Sequence, residues 1–569
     1  MVWTLPPAES GNLKDYQAAR RGFDWGLFHA EFDWSRGGPY NVAAEAVDRH
    51  ACNGLSDKVA LLSVRPDGAV RSLTFEELRE SSSRLASGLM RLDISKGDRV
   101  LVYMERCPEL MISLLGTVKM GAIAGPLFSA LGPEAVRDRA RDSGAKAIIT
   151  TPGLLRRLDP VRDELEEVEH LIIVGEAGGG SLSFDLLLAS GDPDFRSVDM
   201  VPEDPYVIHY TSGSTGKPKG ILLGHKAMLQ QLMACRYVVD LQAEDVYWCS
   251  ADPGWVTGTS VGIFGPWYLG ATIVSYEGRF DARAWYSLIQ RLRVSVWFTA
   301  PTALRMLMRE GDGLVKEYDL RSLRHVCSAG EPLNPEVVRW GLQTLGQRIH
   351  DNWWQTETGA PCISNYRCMA LRPGSMGRPV PGVEAAIVDE AGRELPPGRE
   401  GFLALRPGWP SMMVGIWNGP TRYQEYFQIP GWYRSGDLAY RDEDGYFWFR
   451  SRADDVIKTS GERLGPFEVE SALIEHPAVQ ESAVIGKPDP LRGEIVKAFV
   501  VLLPGHEPSE ELKEDIVQFV RTRLAYYAYP REVEFLDSLP KTRSGKIMRR
   551  VLKARERGES PGDLSTLED

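Results

Sequence analysis

The sequence predicts an α/β fold with a large N-terminal domain of layered sheets and a small α+β domain at the C-terminus. Short apolar strands alternate with helical patterns from about residue 40 to about residue 430, which favours mostly parallel sheet. The pattern changes near residue 450, where a compact unit of strands and amphipathic helices begins. The chain has 569 residues, which is enough for roughly three or four domains. We place the boundary between residues 1–453 and 454–569.

The large domain begins with an aromatic-rich arm and continues with buried strands. The rings that are expected to pack this arm onto the domain are Phe23, Trp25, Phe28, Phe32 and Trp34. Strands are then predicted at residues 99–104, 145–150, 170–174, 271–275 and 294–298. The most apolar stretch, 111–131, contains Lys119, several glycines and Pro126. It therefore predicts a buried helix followed by a strand, and not a membrane span.

The small domain is predicted to contain two helices and two strands. A helix is expected at 467–475, with strands at 481–485 and 495–503. Ser509 is a favourable N-cap for a second helix, because two glutamates follow it and apolar residues then recur at helical spacing. The tail after about residue 554 is polar and is expected to be loose.

The composition indicates a globular protein of a reducing compartment. Hydrophobic residues make up 43% of the chain and charged residues 25%, which is ordinary for such proteins. A net charge of −12 argues against a nucleic-acid partner, since nucleic-acid binders usually show a basic surface. Seven cysteines without a C-x-x-C pair favour a cytoplasmic location over a disulfide framework or a zinc site. We expect no signal peptide and no membrane association, because residues 1–10 are polar.

Residues 211–220 are the most informative segment of the chain. They read Thr-Ser-Gly-Ser-Thr-Gly-Lys-Pro-Lys-Gly and follow an apolar strand end at 205–210. Glycine lets the backbone approach an anion closely, and successive N–H groups, hydroxyls and ammonium groups can cradle a polyphosphate. Only two residues separate the first two glycines, and a proline follows the first lysine. The segment is therefore a phosphate-binding candidate but not a Walker A loop.

Two further segments carry residues suited to a nucleotide site. A strand end at 350–353 leads to Thr356 and Glu357, where a hydroxyl can bond a phosphate and a carboxylate suits Mg²⁺. Asp437, which we expect at a strand end, can accept hydrogen bonds from both ribose hydroxyls. Arg452 can reach phosphate oxygens.

The last two motifs are Ser-Ala-Gly-Glu-Pro at 328–332 and Pro-Lys-Thr-Arg-Ser-Gly-Lys-Ile-Met at 540–548. Taken in chain order, the five motifs resemble those of the AMP-forming acyl-CoA synthetase superfamily, over about residues 200 to 550. The resemblance implies that the large domain includes a small β-barrel-like part and that the small domain is mobile about Asp454. It also implies that Lys546 drives adenylation as an electrostatic clamp.

The same resemblance implies a set of binding residues. Glu357 is expected to bind Mg²⁺ through the nucleotide phosphates and Thr356 to hold the AMP phosphate, and CoA is expected at Ser460, Gly461 and Arg521. The residues implied to contact ATP or AMP are Thr211, Ser212, Gly213, Ser214, Thr215, Gly216, Lys217, Gly330, Glu331, Pro332, Asp351, Asn352, Trp353, Gln355, Thr356, Asp437, Arg452 and Arg463.

The acyl pocket is expected to be small. Residues 352–355, Asn-Trp-Trp-Gln, resemble the acetyl-CoA synthetase branch, in which the second tryptophan, here Trp354, closes the pocket. An indole is large and rigid, so room is left for a methyl or ethyl tail. The other residues implied to line the pocket are Trp255, Val256, Thr257 and Ala329.

Two positions depart from that branch. Ala329 stands where the branch often has valine, which enlarges the pocket slightly and leaves acetate and propionate both open. Thr259 stands where many acetate enzymes have histidine, and the sequence does not indicate what this changes.

We expect a two-step ligation in which a short-chain carboxylate, ATP and CoA are converted through acyl-AMP to acyl-CoA. The main alternative is a medium-chain or aromatic acyl-CoA ligase. An adenylation enzyme that loads a carrier protein, or a binding scaffold without activity, are further alternatives. The resemblance also implies that Lys546 is a substrate of a lysine acyltransferase and a deacylase.

Overall fold

The computed structural model describes residues 3–8, 11–176, 178, 180–212, 218–459, 462–490, 492–524, 528–541 and 547–561. Some predicted site residues lie outside these ranges, namely Gly213, Ser214, Thr215, Gly216, Lys217, Ser460, Gly461 and Lys546. None of the helices in the described ranges is both long and apolar enough to cross a membrane.

Strands account for most of the framework around the site. In chain order they are β1 Val59–Val64, β2 Val70–Thr74, β3 Arg99–Tyr103, β4 Ile123–Leu127, β5 Ala147–Thr150, β6 His170–Ile173, β7 Leu182–Ser183, β8 Pro205–Ser212, β9 Pro218–Gly224, β10 Val246–Cys249, β11 Thr272–Tyr276, β12 Val296–Thr299, β13 His325–Ser328, β14 Ile349–Trp353, β15 Ile363–Ser364, β16 Arg378–Pro379, β17 Ala385–Val388, β18 Glu400–Leu405, β19 Gly415–Ile416, β20 Tyr433–Arg441, β21 Phe447–Arg452, β22 Ile457–Thr459, β23 Glu462–Leu464, β24 Val479–Asp489, β25 Gly493–Leu502 and β26 Glu532–Phe535.

Helices cover the sheets and connect the parallel strands. In chain order they are α1 Tyr16–Arg21, α2 Trp25–His29, α3 Arg49–Cys52, α4 Phe75–Met90, α5 Pro108–Lys119, α6 Pro133–Ser143, α7 Pro152–Leu158, α8 Phe184–Ser190, α9 Met228–Tyr237, α10 Val256–Thr259, α11 Gly265–Tyr268, α12 Ala282–Leu292, α13 Pro301–Arg309, α14 Asp312–Val315, α15 Pro335–Trp340, α16 Pro420–Gln424, α17 Pro466–Ile474, α18 Glu510–Arg521 and α19 Arg549–Arg557. Short 3-10 and π-helical turns join several of them.

Two large sheets form the body of the N-terminal domain. One has nine strands in the order β16-β15-β14-β13-β12-β10-β11-β1-β2, and the other has eight in the order β19-β9-β8-β4-β3-β5-β6-β7. Their central strands are parallel. All four residues of β5 are buried, as expected for a parallel strand covered on both faces. Ligands of such sheets bind beyond the carboxyl ends of the strands.

A single buried apolar cluster lies between the two large sheets. It contains Leu61 of β1 and Val102 of β3, together with Leu85 of α4 and Leu115 of α5. Helix α4 begins where it does because Thr74 forms a capping box with the first turn of the helix. The two helices pack against each other, with α4 against β1 and β2 of one sheet and α5 against β3 and β4 of the other, so together they separate the two sheets.

Two smaller sheets complete the fold. Where the resemblance implies a small β-barrel-like part, the structure has a four-stranded antiparallel sheet in the order β17-β18-β20-β21. The C-terminal domain has a five-stranded sheet, β23-β22-β25-β24 with β26 beside β25. The predicted boundary at 453/454 falls in the short connection between β21 and β22. It stays a prediction.

Most predicted elements are confirmed, with bounds shifted by a few residues. The apolar stretch 111–131 forms the greater part of helix α5 and all of strand β4. Ser509 caps α18, because its side chain accepts a hydrogen bond from the backbone N–H of Leu512. The aromatic arm is also confirmed, because Phe32 is fully buried and stacks on Trp34 with ring centroids 4.2 Å apart. One expectation is wrong: Asp437 lies inside β20 and not at a strand end, because β21 continues to pair with it.

Candidate active site

An ion pair between Lys219 and Glu357 connects the two large sheets. Lys219 lies on β9, and Glu357 lies in the turn that follows β14. The Nζ of Lys219 is 2.7 Å from Oε1 of Glu357, and the two side chains are 16% and 11% exposed. The pair therefore joins the strand that leaves the predicted phosphate-binding loop to the predicted Mg²⁺ ligand.

The turn after β14 holds Glu357 in place through local hydrogen bonds. The backbone N–H of Gln355 donates to Oγ1 of Thr358 at 2.9 Å, which closes a single 3-10 turn over Thr356–Thr358. The turn ends at Gly359, whose φ of +72° favours glycine. A Cβ at Gly359 would lie 2.1 Å from the carbonyl oxygen of Ser411, so no larger residue fits.

Tyr426 completes the surroundings of the Glu357 carboxylate. Its hydroxyl donates to Oε1 of Glu357 at 2.7 Å and accepts a hydrogen bond from Lys219. Its ring stacks on Tyr433 with centroids 5.4 Å apart and an angle of 4°. Tyr433 in turn donates to Oε1 of Gln355 at 2.8 Å. The hydroxyl of Tyr426 and the ammonium group of Lys219 thus converge on one carboxylate oxygen.

The charge states follow from this arrangement. Burial raises the pKa of Glu357, but the positive charge of Lys219 and the hydrogen bonds from Lys219 and Tyr426 outweigh it, so the net pKa is below the usual value. Burial and the charge of Glu357 raise the pKa of Tyr426 well above its usual range. At neutral pH the carboxylate is therefore ionised and the tyrosine hydroxyl is a donor.

An ionised, buried carboxylate suits Mg²⁺, which commonly takes one or two protein carboxylates and completes its shell with phosphates and water. No cluster of three or more His, Cys, Asp or Glu side chains suited to a metal occurs in the described part of the chain. Glu357 is one such carboxylate, so it suits a cation whose remaining ligands are phosphates and water.

Asp437 is fixed from three sides. Nε1 of Trp353 donates to its Oδ2 at 2.8 Å, and Nε2 of Gln355 donates to the same oxygen at 3.3 Å. Nη1 of Arg452 donates to its Oδ1 at 3.0 Å, since the two residues face each other across β20 and β21. Nε of Arg452 also lies 3.6 Å from Oδ1 of Asp454. Arg452 thus connects the predicted ribose ligand to the predicted hinge.

Several buried polar atoms at the strand ends have no hydrogen-bond partner within the described residues. They are Oγ1 of Thr211, Oγ of Ser328, Oδ1 of Asp351 and both amide atoms of Asn352. Burial raises the pKa of Asp351 well above its usual range. An unpaired buried polar atom costs about 1–3 kcal/mol. Such atoms are expected where a bound ligand supplies the missing partners.

The predicted adenine-side loop is held in place by the side chain of Glu331. The carboxylate of Glu331 accepts hydrogen bonds from Nη2 of Arg305 at 2.7 Å and from Oγ1 of Thr302 at 2.5 Å. Gly330 has a φ of +103°, which favours glycine. Glu331 therefore anchors the loop through its carboxylate. The contacts of Gly330, Glu331 and Pro332 with a nucleotide stay a prediction.

Three of the five predicted acyl-pocket residues lie in or against the main apolar cluster. Val256 of α10 and Ala329 are buried members of it, and Trp354 is partly buried against it. Thr257 lies on α10, and Trp255 packs on Phe128 with ring centroids 4.7 Å apart. The pocket segment after β10 is thus part of the domain core and not a surface loop.

The predicted residues of the small domain are only partly described. Asp454 is exposed between β21 and β22, and Arg463 lies on β23, where its backbone pairs with Lys458. Arg521 is exposed at the end of α18, with its guanidinium 5.3 Å from the ring centroid of Tyr529.

The small domain contacts the large one beside the adenine-side loop. Nδ2 of Asn334 donates to Oγ of Ser471 at 3.0 Å. Burial lowers the pKa of Arg549, but Glu470 and, more weakly, Asp455 and Glu331 raise it to a net upward shift. Arg549, the first residue of α19, is thus influenced by the charge of Glu331 on the adenine-side loop of the large domain.

Sequence reasoning missed three residues of this site, Lys219, Tyr426 and His209. It also left the role of Thr259 open. Lys219 lies in the phosphate-loop motif, so its residue type and place were available signals. Tyr426 has no local signal, because its partner Glu357 is 69 residues away. His209 and Thr259 are joined by a hydrogen bond of 2.8 Å between β8 and α10.

The fold and this geometry belong to a known class. The sequence model of the AMP-binding enzyme family matches residues 48–417, and that of the AMP-binding enzyme C-terminal domain matches residues 468–546. The chain belongs to the AMP-binding enzyme family.

Relatives match over nearly the whole chain. The chain is 55% identical to acetyl-coenzyme A synthetase of Bacillus subtilis (strain 168), over 99% of each chain. Its structure is similar to that of an acyl-CoA synthetase of Brucella canis, with a TM-score of 0.75, 38% identity and coverage of 96% and 99%. It is also similar to the anthranilate CoA ligase AuaEII in complex with anthranoyl-AMP, with a TM-score of 0.84, 32% identity and coverage of 91% and 97%.

Replacing Lys219 by methionine should make stability depend on pH in a new way. Wild-type Glu357 has a lowered pKa, so it stabilises the fold above its unfolded pKa, and this stability is lost as pH falls through the folded pKa. Without Lys219 burial dominates and raises that pKa, so the variant carries a penalty at neutral pH that disappears as pH falls. We expect a loss of about 3 kcal/mol near pH 7 and a much smaller loss near pH 5.

Thermal unfolding of both proteins at the two pH values measures this difference. Lys226→Met is the matched control, because Lys226 pairs at 3.3 Å with Glu203, whose side chain is 66% exposed. An equal loss at both pH values for Lys219→Met would contradict the assignment of an ionised, buried Glu357.

Proposed function

We propose that this chain is an AMP-forming acetate–CoA ligase that uses ATP, Mg²⁺ and CoA and accepts propionate as a second acid. The full-length similarity to the acetyl-coenzyme A synthetase of B. subtilis carries the proposal. The geometry supports it, since Glu357 is ionised beside the strand that follows the phosphate-binding loop.

In the first step an oxygen of the carboxylate bonds to the α-phosphorus of ATP. The bond from that phosphorus to the bridging oxygen breaks, and pyrophosphate leaves with the electron pair. We assign Thr356 and Thr211 to hydrogen bonds with phosphate oxygens, and Asp437 to hydrogen bonds from the ribose. The hydroxyl of Thr211, which has no hydrogen-bond partner among the described residues, supports its assignment. No side-chain nucleophile is needed, because positioning and charge neutralisation supply most of the rate.

Glu357 would hold Mg²⁺, which would neutralise charge on the phosphates when bound. The ammonium group of Lys219 contacts the same carboxylate. Its ammonium group keeps Glu357 charged and oriented, so the ligand is preformed. Tyr426 limits the directions from which a cation can approach.

In the second step the sulfur of CoA bonds to the acyl carbon. The bond from that carbon to the phosphate oxygen breaks, AMP leaves with the electron pair, and the thiol proton passes to solvent. We assign CoA contacts to Ser460, Gly461 and Arg521, and Arg463 to the nucleotide. Rotation of the small domain about Asp454 would bring these residues to the site in place of Lys546.

The orientation described here supports the adenylating arrangement. Arg549, shortly after Lys546, lies within electrostatic reach of Glu331 on the adenine-side loop. The seven cysteines are all free, which supports a reducing, cytoplasmic location. Acylation of Lys546 by a lysine acyltransferase, and its reversal by a deacylase, remain predictions from the resemblance.

Lys546→Ala should separate the two steps. We expect acyl-AMP formation from acetate and ATP to fall by about three orders of magnitude or more, as for loss of a strong electrostatic contact to the reacting group. Conversion of supplied acetyl-AMP and CoA to acetyl-CoA should change little, because Lys546 is not placed at the acyl carbon in that step. Equal loss of both half-reactions would contradict the assigned role.

Carboxylate-dependent ATP–pyrophosphate exchange tests the substrate proposal. With acetate, propionate, butyrate, hexanoate and benzoate, we expect a maximum at acetate or propionate, because Trp354 closes the pocket. Trp354→Gly should move the maximum toward longer acids by removing the indole. A wild-type maximum at hexanoate or benzoate would favour the medium-chain or aromatic ligase. No exchange with any acid would favour the carrier-loading or scaffold alternatives.

A further inference from the structure

His209 connects the strand that enters the phosphate-binding loop to the segment that carries the acyl pocket. It lies on β8, two residues before Thr211, and only 1% of its surface is exposed. Its Nδ1 is 3.2 Å from the carbonyl oxygen of Gly254, and its Nε2 is 2.8 Å from Oγ1 of Thr259. The imidazole therefore contacts both ends of the segment that contains Trp255, Val256 and Thr257.

The hydrogen bonds define one tautomer of this ring. A carbonyl oxygen only accepts, so Nδ1 of His209 carries the proton and donates to Gly254. Nε2 is then an acceptor, and the hydroxyl of Thr259 donates to it in preference to the longer contact of 3.2 Å with the carbonyl oxygen of Val256. Burial lowers the pKa of His209 to about 4, so the ring is neutral at neutral pH.

The segment between these two contacts has little room to move. A Cβ at Gly254 would lie 2.8 Å from the ring of Phe128, and a Cβ at Gly258 would lie 2.4 Å from the carbonyl oxygen of Asp252. The backbone N–H of Gly254 also donates to Oδ1 of Asp252 at 2.9 Å. A small displacement of the segment would therefore be transmitted to the residues of the pocket wall and not absorbed locally.

We propose that the His209–Thr259 hydrogen bond is a positioning brace that fixes residues 254–259 against β8 and so sets the size of the acyl pocket. The effect on which carboxylic acids the pocket accepts rests on the proposed function. The fixing of residues 254–259 by His209 and Thr259 does not. His209 and Thr259 act through the pocket wall and through β8. They are positioning residues and not catalytic ones.

Thr259→Val tests the brace, because it keeps the shape of the side chain and removes the donor to His209. We expect the KM for acetate to rise about tenfold, with kcat and the KM for ATP changed by less than about twofold. The ratio of kcat/KM for acetate to that for butyrate should fall. Thr259→Ser keeps the hydroxyl and should restore both values.

Thr117→Val is the matched control. Thr117 is also fully buried, on α5, and its hydroxyl has no hydrogen-bond partner among the described residues, so the same change removes no comparable contact. Amide hydrogen exchange of the whole protein supplies a readout that is independent of catalysis. Exchange in residues 254–259 should accelerate in Thr259→Val and stay at the wild-type rate in Thr117→Val.

The outcomes separate the brace from the proposed function. A folded Thr259→Val protein with wild-type exchange at 254–259 would overturn the brace. Faster exchange with unchanged acetate KM and unchanged chain-length ratio would overturn its role in the pocket. If the wild type activates none of acetate, propionate and butyrate, the proposed function fails. Hydrogen exchange then still decides whether His209 and Thr259 fix residues 254–259.

Discussion

The ion pair between Lys219 and Glu357 joins parts of the chain that belong to different sheets. A carboxylate with so little exposure needs a positive partner, and Lys219 supplies it from the strand after the phosphate-binding loop. Tyr426 adds a hydrogen bond to the same oxygen. Through Tyr433 and Gln355 the contacts continue to Asp437, Arg452 and the interdomain segment. The residues predicted to bind the nucleotide and the predicted hinge thus share one continuous network.

Much of this fold follows from local sequence. Strand β5 is predicted by its continuous apolar run, and α18 by the cap at Ser509 and the spacing of its apolar residues. The phosphate-binding loop is predicted because glycines, hydroxyls and lysines follow a strand. The expectation that Asp437 lies at a strand end is wrong because the pairing that continues through it is set by β21, a later segment of the chain.

The contacts that organise the site could not be predicted, because each joins residues far apart in sequence. Tyr426 finds Glu357 across 69 residues, and His209 finds Thr259 across 50. Glu331 was assigned to the nucleotide, yet its carboxylate is held by Arg305. The residue types are compatible with many partners, and only the packing of the sheets selects among them.

In the proposed reaction a carboxylate oxygen attacks the α-phosphorus of ATP at this site. Acetate labelled with oxygen-18 in both oxygens tests it directly, with ATP, Mg²⁺ and CoA present. The account predicts one labelled oxygen in AMP for each acetyl-CoA formed and none in pyrophosphate. Unlabelled AMP, or label in inorganic phosphate, would contradict attack at the α-phosphorus and require a different intermediate.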